Sequence, residues 1–378
     1  MKKLLNLVLC LALIVATVAT FTACSDEEES SSTKDVGFVY ELVDGEDGAE
    51  DYLKITGYNV SDEVAELVSR EDYANEKVKA VSKIEIPSDK VEYKNGEKYL
   101  VKEIADAAFS NMLFIKEVVI PSNVETVGAG CLAGVSNLEK LTVSFVGNKK
   151  ENNVNSEKTL GYLFGSSEST GTVSATVNYN STGSITCYLP QNLKTVVVTD
   201  GAISDYAFNG MSTVEEVVFP VGTVKIGKYA FANCTSLWKI DTSKIEEIGE
   251  AAFSGCTTLV KADLAKAKVI GDSAFSGCTQ LFYSVNGSSY TATAAVTSIG
   301  KNAFKGCIAL ETVDLSALTA SAKVGDYAFG GLTNLTSVKL SASANYGNLV
   351  FNGASKLEKS GVTGYDATLK LFDFDYDL

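Results

Sequence analysis

The sequence predicts an α/β repeat solenoid, rich in β-structure, in which short strands form a parallel sheet and short helical turns connect them. Two observations predict this fold. An Ala-Phe pair recurs along much of the chain, mostly 22 or 23 residues apart, and a Leu-x-x-Val-x-Leu segment follows each pair. One such unit cannot bury its own apolar side, so successive copies must stack on one another to form a continuous core.

The chain begins with the features of an export signal. Two lysines precede an almost continuously apolar run over residues 4–20, and a short segment then leads into Cys24. Such a run is too short and wrongly flanked for an ordinary spanning helix. The segment before Cys24 resembles a bacterial lipobox, in which small residues precede a cysteine that becomes the lipidated N-terminus. This resemblance implies a lipoprotein signal peptide over residues 1–23 and attachment to membrane lipid through acylated Cys24. A plain secretory peptide is the alternative.

Residues 24–35 are polar and acidic, with nothing to bury. They are typical of a disordered tether that holds a folded part away from a membrane. An export signal is a second interpretation, because acidic residues after a lipidated cysteine resemble surface-export signals of some bacteria. We therefore expect an extracytoplasmic protein that is lipid-anchored to the bacterial cell surface.

The charge and the composition exclude several classes of function. The chain has 32 basic and 47 acidic residues, a net charge of −15, and Arg70 is its one arginine. Nucleic acids are bound by basic patches and guanidinium groups, so they are excluded as partners. The chain contains no histidine. Ser-His-Asp and Cys-His catalysis are therefore excluded as well, and we expect no enzyme activity, no cofactor and no metal site.

Residues 36–99 precede the regular repeats, and we expect them to form an N-terminal β cap. Residues 38–43 and 52–55 are rich in apolar and aromatic side chains, and the Gly- and Asp-rich residues 44–48 lie between them. Two such runs around a turn segment predict a β-hairpin.

The repeats themselves are most regular over residues 248–310. Residues 248–259 have the sequence Ile-Gly-Glu-Ala-Ala-Phe-Ser-Gly-Cys-Thr-Thr-Leu, and residues 270–281 and 299–310 repeat this pattern closely. Leu132 takes the phenylalanine position in a more divergent copy. The repeat phenylalanines are Phe109, Phe208, Phe231, Phe253, Phe275, Phe304, Phe329 and Phe351.

These residues resemble the BspA-like family of bacterial surface leucine-rich repeats, with its Ile-Gly-x-x-Ala-Phe-x-x-Cys-x-x-Leu-x-x-Val-x-Leu-Pro pattern. The resemblance covers about residues 100–360 and, more weakly, the preceding segment from residue 36. It implies a curved, right-handed leucine-rich-repeat superhelix with its parallel sheet on the concave side. It also implies a role in adhesion or in host or matrix binding, without naming a ligand.

Two further segments complete the predicted organisation. Residues 144–192 break the period and contain two alternating segments, around residues 173–179 and 184–189, so we expect an inserted, protruding hairpin. Such insertions serve binding in some solenoids and are simply tolerated in others. Residues 361–378 end in strict alternation of apolar residues and aspartates, which predicts a C-terminal capping strand.

Four cysteines recur once per repeat, at Cys234, Cys256, Cys278 and Cys307. The same slot holds Met, Val, Leu or Ala in other copies, so the position requires an apolar side chain of modest size. We expect buried, free thiols, because free cysteine behaves as a small hydrophobe. Disulfides between neighbouring copies are unfavourable, because equivalent side chains in a stack run parallel to one another.

The candidate binding site is a row of residues that follows the repeat leucine. Most copies have a polar residue there, but three successive copies have Trp238, Val260 and Phe282, with Tyr283 next to the last. An apolar row at strand spacing is a candidate interaction surface. The alternative is that these side chains fold inward. The ligand-binding hypothesis also includes the neighbouring lysines, Lys239 and Lys261.

The leading interpretation is a surface protein that binds an extracellular protein or glycan. One alternative is an accessory lipoprotein in carbohydrate processing, in which Asp241 and Asp263, at the same slot of adjacent copies, would act as paired carboxylates. Lys239 and Lys261, two positions before them, instead favour a compensated surface charge ladder. The other alternative is a structural coat protein without a single ligand.

Overall fold

The structure, a computed structural model, describes residues 36–149, 155–284 and 287–364. The strands of the first part of the chain are β1 (Gly37–Val43), β2 (Tyr52–Asn59), β3 (Lys83–Glu85), β4 (Val91–Glu92), β5 (Lys98–Tyr99), β6 (Val101–Ile104), β7 (Glu117–Ile120), β8 (Thr126–Val127), β9 (Lys140–Val143), β10 (Thr172–Asn178), β11 (Ser184–Pro190) and β12 (Thr195–Val198). The later strands are β13 (Glu216–Val218), β14 (Lys225–Ile226), β15 (Lys239–Ile240), β16 (Glu247–Ile248), β17 (Val269–Ile270), β18 (Ser289–Thr291), β19 (Ser298–Ile299), β20 (Thr312–Asp314), β21 (Lys323–Val324), β22 (Ser337–Lys339), β23 (Asn345–Tyr346) and β24 (Val362–Thr363).

Helices are few and short. The α-helices of the described chain are α1 (Asp62–Ser69) and α2 (Glu76–Ala80), and single 3-10 turns lie at Glu46–Gly48, Asn155–Lys158, Leu160–Leu163 and Lys359–Gly361.

The repeats stack into two columns of parallel strands, where the sequence predicted one strand per repeat. One column contains the Leu-x-x-Val-x-Leu strands and consists of two sheets, β3-β7-β9-β12-β13-β15 and β18-β20-β22-β24. We call these the valine sheets. The other column contains the strands that end at the Ile-Gly pair. It also consists of two sheets. One has the strand order β14-β16-β17-β19-β21-β23, and the other, at the N-terminal end, has the order β1-β2-β6-β8, in which only the β1-β2 pair is antiparallel. We call these the Ile-Gly sheets. The result is the β-rich repeat solenoid that the sequence predicts.

The repeat phenylalanines form the centre of the core. Their rings stack face to face in unbroken succession over the later repeats, with centroids of neighbours 5.0 to 5.4 Å apart. All of these rings are essentially inaccessible to solvent. Each stacked pair adds about 0.5–1.5 kcal/mol to the free energy gained by burial. The rings that form this stack are Phe208, Phe231, Phe253, Phe275, Phe304, Phe329 and Phe351.

The glycine of the Ile-Gly pair allows adjacent repeats to approach closely. A Cβ atom on Gly271 would lie 2.6 Å from the backbone nitrogen of Glu250 and 2.6 Å from the carbonyl carbon of Gly249. No side chain fits at such distances, so this position of the pattern has no room for any residue larger than glycine.

The N-terminal segment is continuous with the repeats. The β1-β2 hairpin pairs as the sequence predicts, and β2 then pairs in parallel with β6 of the first regular repeat. In the valine sheet, β3 pairs with β7, so the first rung of this sheet begins inside the predicted cap region. The segment also contains α1 and α2, which the prediction of a purely β cap did not include. The side chains of Ser61 and Asn75 cap these two helices.

Each of two insertions interrupts one strand column and leaves the other intact. Across the insertion of residues 144–192, the valine sheet continues because β9 pairs directly with β12. Across residues 282–288, the Ile-Gly sheet continues because β17 pairs directly with β19, whereas the valine sheet is divided between β15 and β18. At each insertion one of the two strand columns is continuous, and this column preserves the stacking register of the repeats.

The inserted hairpin, β10 with β11, packs on the solenoid and does not protrude from it. Its inner side chains are buried, while its outer face is rich in exposed hydroxyl groups. The buried amide of Asn209 accepts a hydrogen bond from the backbone nitrogen of Asn178 at 2.9 Å and joins the hairpin to the next repeat. The buried side chains of the hairpin are Ala175, Val177, Cys187 and Leu189.

The insertion also contains a copy of the repeat that the sequence pattern did not reveal. In regular copies the backbone nitrogen of the repeat phenylalanine donates to a carbonyl of the next repeat. The accepting residue is the one just before that repeat's own phenylalanine position, as when Phe109 donates to Cys131, which precedes Leu132. Leu132 bonds in the same way to the carbonyl of Leu163, which places Phe164 in the phenylalanine position. Phe164 is fully buried.

Candidate functional site

Backbone hydrogen bonds place the candidate row in consecutive repeats. The nitrogen of Trp238 donates to the carbonyl of Glu215 at 3.2 Å, and the nitrogen of Val260 donates to the carbonyl of Trp238 at 3.3 Å. The nitrogen of Phe282 then donates to the carbonyl of Val260 at 2.8 Å. These residues therefore occupy one column of the solenoid, at equivalent positions of successive rungs.

The exposure of the side chains differs along this column and at Tyr283, which follows Phe282 and takes the repeat position of Lys239 and Lys261. Trp238 is 50% exposed and Tyr283 is 56% exposed, so both present aromatic surface to solvent. Val260, between them, is half-buried. Exposed aromatic side chains held two repeats apart on a regular scaffold are a candidate contact surface for a ligand.

Phe282 lies differently from what the exposed-row hypothesis requires. Its ring packs against Tyr290, with centroids 5.8 Å apart, and against Phe304, with centroids 6.3 Å apart. It belongs to the partly buried residues that cover the core. The insertion after Phe282 explains this packing: the displaced strand β18 brings Tyr290 to the valine position, and the Phe282 ring fills the space beside it. The exposed aromatic surface is therefore formed by Trp238 and Tyr283.

The two candidate lysines lie side by side but differ in their partners. Lys239 and Lys261 face each other in a parallel β-bridge, and both are exposed. Lys239 Nζ lies 2.8 Å from Glu216 of the preceding repeat. The sequence had suggested Asp241 as the compensating charge for Lys239. Lys261 has no ion pair with any carboxylate that the structure describes.

Asp241 and Asp263 serve as turn caps. Asp241 Oδ1 accepts a hydrogen bond from the Ser243 nitrogen at 3.0 Å, and Asp263 Oδ1 accepts one from the Ala265 nitrogen at 3.0 Å. The hydrogen bond from the Ser243 side chain, together with that from its backbone, lowers the pKa of Asp241. A general acid for glycoside hydrolysis needs a raised pKa, so the direction of this shift does not favour the paired-carboxylate alternative.

The four cysteines that recur once per repeat are buried, unpaired thiols, which confirms the interpretation from the sequence. We call Cys234, Cys256, Cys278 and Cys307 the ladder cysteines. Each Sγ donates a hydrogen bond to the carbonyl of the phenylalanine in the preceding repeat, as Cys256 does to Phe231 at 3.0 Å. Burial raises the pKa of Cys234 and Cys278 to about 12. Such thiols are nearly always protonated near neutral pH and are poor nucleophiles.

Sequence reasoning missed an ordered pattern of charges on the N-terminal valine sheet. Lys116 pairs with Glu139 at 2.8 Å, and Lys194 pairs with Glu215 at 2.9 Å, in the same column that later contains Trp238. The neighbouring column contributes the pair of Lys140 with Glu117 at 3.1 Å. The alternating signs at equivalent repeat positions were the available signal. Beside these columns lies an outward row of mainly β-branched residues, Val119, Thr142, Val197 and Val218.

Cys24 and the predicted signal and tether segments lie outside the described residues, as do residues 365–378 of the predicted capping strand. Within the described ranges, no helix is long and apolar enough to span a bilayer. The same ranges contain no cluster of three or more metal-ligating side chains.

A known family matches most of the chain. The BspA type leucine rich repeat region matches residues 71–151, 180–281 and 279–364, in six copies. No curated protein matches the chain.

Solved structures of bacterial leucine-rich repeat proteins are also similar. One from Eubacterium ventriosum is 19% identical, with 87% of this chain and 95% of that chain covered and a TM-score of 0.37. One from Bacteroides ovatus is 17% identical, with 86% and 93% covered and a TM-score of 0.30. A leucine rich cell surface protein from Faecalibacterium prausnitzii is 15% identical, with 93% and 97% covered and a TM-score of 0.29.

Proposed function

The chain belongs to the BspA-type leucine-rich repeat family, and from that premise we propose that it is a lipid-anchored bacterial surface protein that binds a protein or glycan ligand. The observation that carries the proposal is the half-exposed Trp238, at a position where the preceding repeats have paired charges. The fold does not need an aromatic residue at this position, because the core is already closed by the stacked phenylalanines beneath it.

The proposed contact surface consists of Trp238, Val260 and Tyr283, bordered by Lys239 and Lys261. Trp and Tyr contribute large, rigid contact areas at low conformational cost, which is why they are frequent among the residues that dominate binding energy. A solenoid holds such residues at fixed distances from one another, so little free energy is lost in ordering them.

The proposed attachment depends on Cys24. Replacing Cys24 with Ser removes the thiol that would be acylated, and a protein held by lipid would then appear in the medium or accumulate as an unprocessed precursor. Membrane partitioning that is unchanged in this variant would contradict lipid anchoring.

The binding surface is tested by separating Trp238 from Phe282. We expect Trp238→Ser to lower the free energy of unfolding by about 1 kcal/mol, because only half of this side chain is buried. We expect Phe282→Ser to cost about 2 kcal/mol or more, because its ring packs against the core. Trp238 is the one tryptophan of the chain, so its fluorescence reports on this site alone. Red-shifted emission that iodide quenches is the expected result.

Ligand capture gives the functional readout. We expect the mature protein to capture a ligand from extracellular matrix or glycan samples, and Trp238→Ser to weaken that capture at least tenfold. Glu311→Ala is the matched control, since Glu311 occupies the same column in a later repeat. Blue-shifted, unquenched fluorescence, or equal capture by both variants, would contradict this assignment.

A further inference from the structure

We propose that the surface around Trp238 binds a neutral, linear polysaccharide whose chain runs along the solenoid axis from Trp238 to Tyr283. This inference rests on the proposed binding function and names its ligand class. Its arguments are the spacing of the repeats, the exposure of the two rings and the mixed charges beside them.

The spacing of the rungs is measured directly beneath the site. Trp238, Val260 and Tyr283 belong to the repeats of Phe231, Phe253 and Phe275, whose stacked ring centroids are 5.2 Å apart in both steps. Along the axis, the repeats of the two exposed aromatic residues are therefore two such steps apart. Across the axis, Tyr283 is offset from the column of Trp238 by one residue, since it takes the repeat position of Lys239 and Lys261. The advance per sugar of an extended pyranose chain is close to one step, so the first and third sugars of the chain can each meet an aromatic ring.

An extended polypeptide fits this spacing less well. It presents the same face at every second residue, a repeat of roughly 6.6–6.8 Å. Over two rungs its side chains fall out of register with Trp238 and Tyr283. The periodicity of the surface therefore favours a sugar chain over a β-extended peptide in this direction.

Polar groups of both signs border the aromatic residues. Lys239 and Lys261 precede the turn residues Asp241 and Asp263 by two positions, and all four side chains are exposed. The turn hydrogen bonds of Asp241 and Asp263 and the ion pair of Lys239 hold three of these four groups in fixed orientations. Donors and acceptors at fixed positions suit the vicinal hydroxyl groups of a sugar ring.

The charges argue against a polyanionic glycan. Carboxylates lie among the lysines of the surface, and the whole chain has a net charge of −15. A chain of uronate or sulfate groups would be repelled on approach. Neutral sugars meet no such barrier.

The experiment uses the full chain in detergent and measures affinity by the fluorescence of Trp238. The probes are soluble neutral β-glucans, xylans and mannans, with polygalacturonate and heparin as anionic counterparts. We expect at least one neutral polysaccharide to bind, with the affinity rising up to oligosaccharides of about three sugars, the length that spans the three rungs.

Variants then locate the site. We expect Trp238→Ala to lower the affinity for the neutral glycan at least tenfold, Tyr283→Ala to lower it about three- to tenfold, and Glu311→Ala to leave it unchanged. Affinities of variants without a fluorescent tryptophan are read by affinity electrophoresis, and thermal unfolding verifies that each variant is folded.

Three results would overturn the inference: no neutral glycan binds, the anionic glycans bind more tightly, or Trp238→Ala binds like the wild type. Capture of a protein ligand that depends on Trp238, without glycan binding, would remove this inference and leave the proposed function standing. If neither glycan binding nor protein capture depended on Trp238, both this inference and the proposed binding function would be overturned.

Discussion

The early and the late repeats of this solenoid keep their registers by different means. Before residue 200 the rungs are joined by long strand pairings, such as the four-residue register of β7 with β9. Ion pairs join neighbouring copies in both regions, as Lys116 with Glu139 and Lys225 with Glu247 show. From Phe208 onward the strands shorten to two or three residues, while the phenylalanine rings stack without interruption beneath them. A regular core thus accompanies short strands, and longer strands accompany an irregular core.

This difference bears on where function can evolve. In the early repeats the column that later contains Trp238 is occupied by paired charges. In the late repeats the ring stack fixes the spacing, and this one column contains Trp238 and Val260 in place of paired charges. The candidate site lies where this change occurs, directly after the last paired residue of the column, Glu215.

The largest expected effect concerns the rings themselves. Phe253 stacks between two neighbouring rings, whereas Phe164 has no ring partner among the described residues. Truncation to Ala costs about 3–5 kcal/mol for a buried phenylalanine, and each lost ring pair adds about 0.5–1.5 kcal/mol. Because Phe253 loses two ring pairs, we expect Phe253→Ala to destabilise the protein about 1–3 kcal/mol more than Phe164→Ala does. Denaturant titration of both variants measures this difference, and equal losses would show that the stack adds nothing beyond burial.

A smaller effect separates the hairpin-covered repeat from an uncovered one. Gly210 and Gly277 have nearly the same backbone angle, with φ of +75° and +77°. A Cβ atom on Gly210 would lie 2.3 Å from the Thr176 carbonyl oxygen of the hairpin, whereas the nearest atom to one on Gly277 is 3.8 Å away. We expect Gly277→Ala to cost about 1–2 kcal/mol from the left-handed backbone alone.

For Gly210→Ala we expect about 1–3 kcal/mol more, because the hairpin must move. Hydrogen exchange of β10 and β11 should rise in Gly210→Ala and stay unchanged in Gly277→Ala. Unchanged exchange in both variants would mean that the hairpin is not docked through this contact.

Much of the fold could be predicted from the sequence because the late repeats impose hard spatial limits. The cysteine slot accepts only modest apolar side chains, and the Ile-Gly glycine has no room for a Cβ atom, so both positions repeat visibly. The repeat of Phe164 was not predicted because its leucine, Leu193, follows 29 residues later, whereas Leu237 follows Phe231 by six. The strands of the Ile-Gly sheets were not predicted because strands of two residues, such as β14, are too short for an alternation pattern.

The candidate site was predictable only in part, for a physical reason. The column of Trp238, Val260 and Phe282 follows from the repeat period alone. The direction of each side chain does not, because it depends on what fills the neighbouring space. Phe282 turns inward since the following insertion brings Tyr290 beneath it, and the sequence period contains no information on that displacement.

The smallest expected effect per residue uses the thiols of the late repeats and depends on pH. Burial raises the pKa of Cys278 from an ordinary value of 9.0 to about 12, and it also raises the pKa of Cys256 well above the ordinary value. The folded state therefore keeps a proton that the unfolded state loses above pH 9. This contribution to stability is complete below pH 9 and is lost as the pH rises toward the folded-state values.

At pH 10 the expected loss is about 1 kcal/mol for each buried thiol, relative to pH 7.5. Guanidinium titrations at the two pH values measure it, and the variant with Val at all four ladder positions is the control, since Val135 occupies this slot in an early repeat. The control should lose less stability at pH 10 than the wild type, and its remaining loss should come from buried tyrosines such as Tyr290, whose pKa is also raised by burial. Alkylation at pH 8 should leave all four wild-type thiols intact until the protein unfolds. If the free energy of unfolding falls equally with pH in the wild type and the control, the ladder thiols titrate as they do in water. The burial of the four thiols in the late-repeat core would then be contradicted.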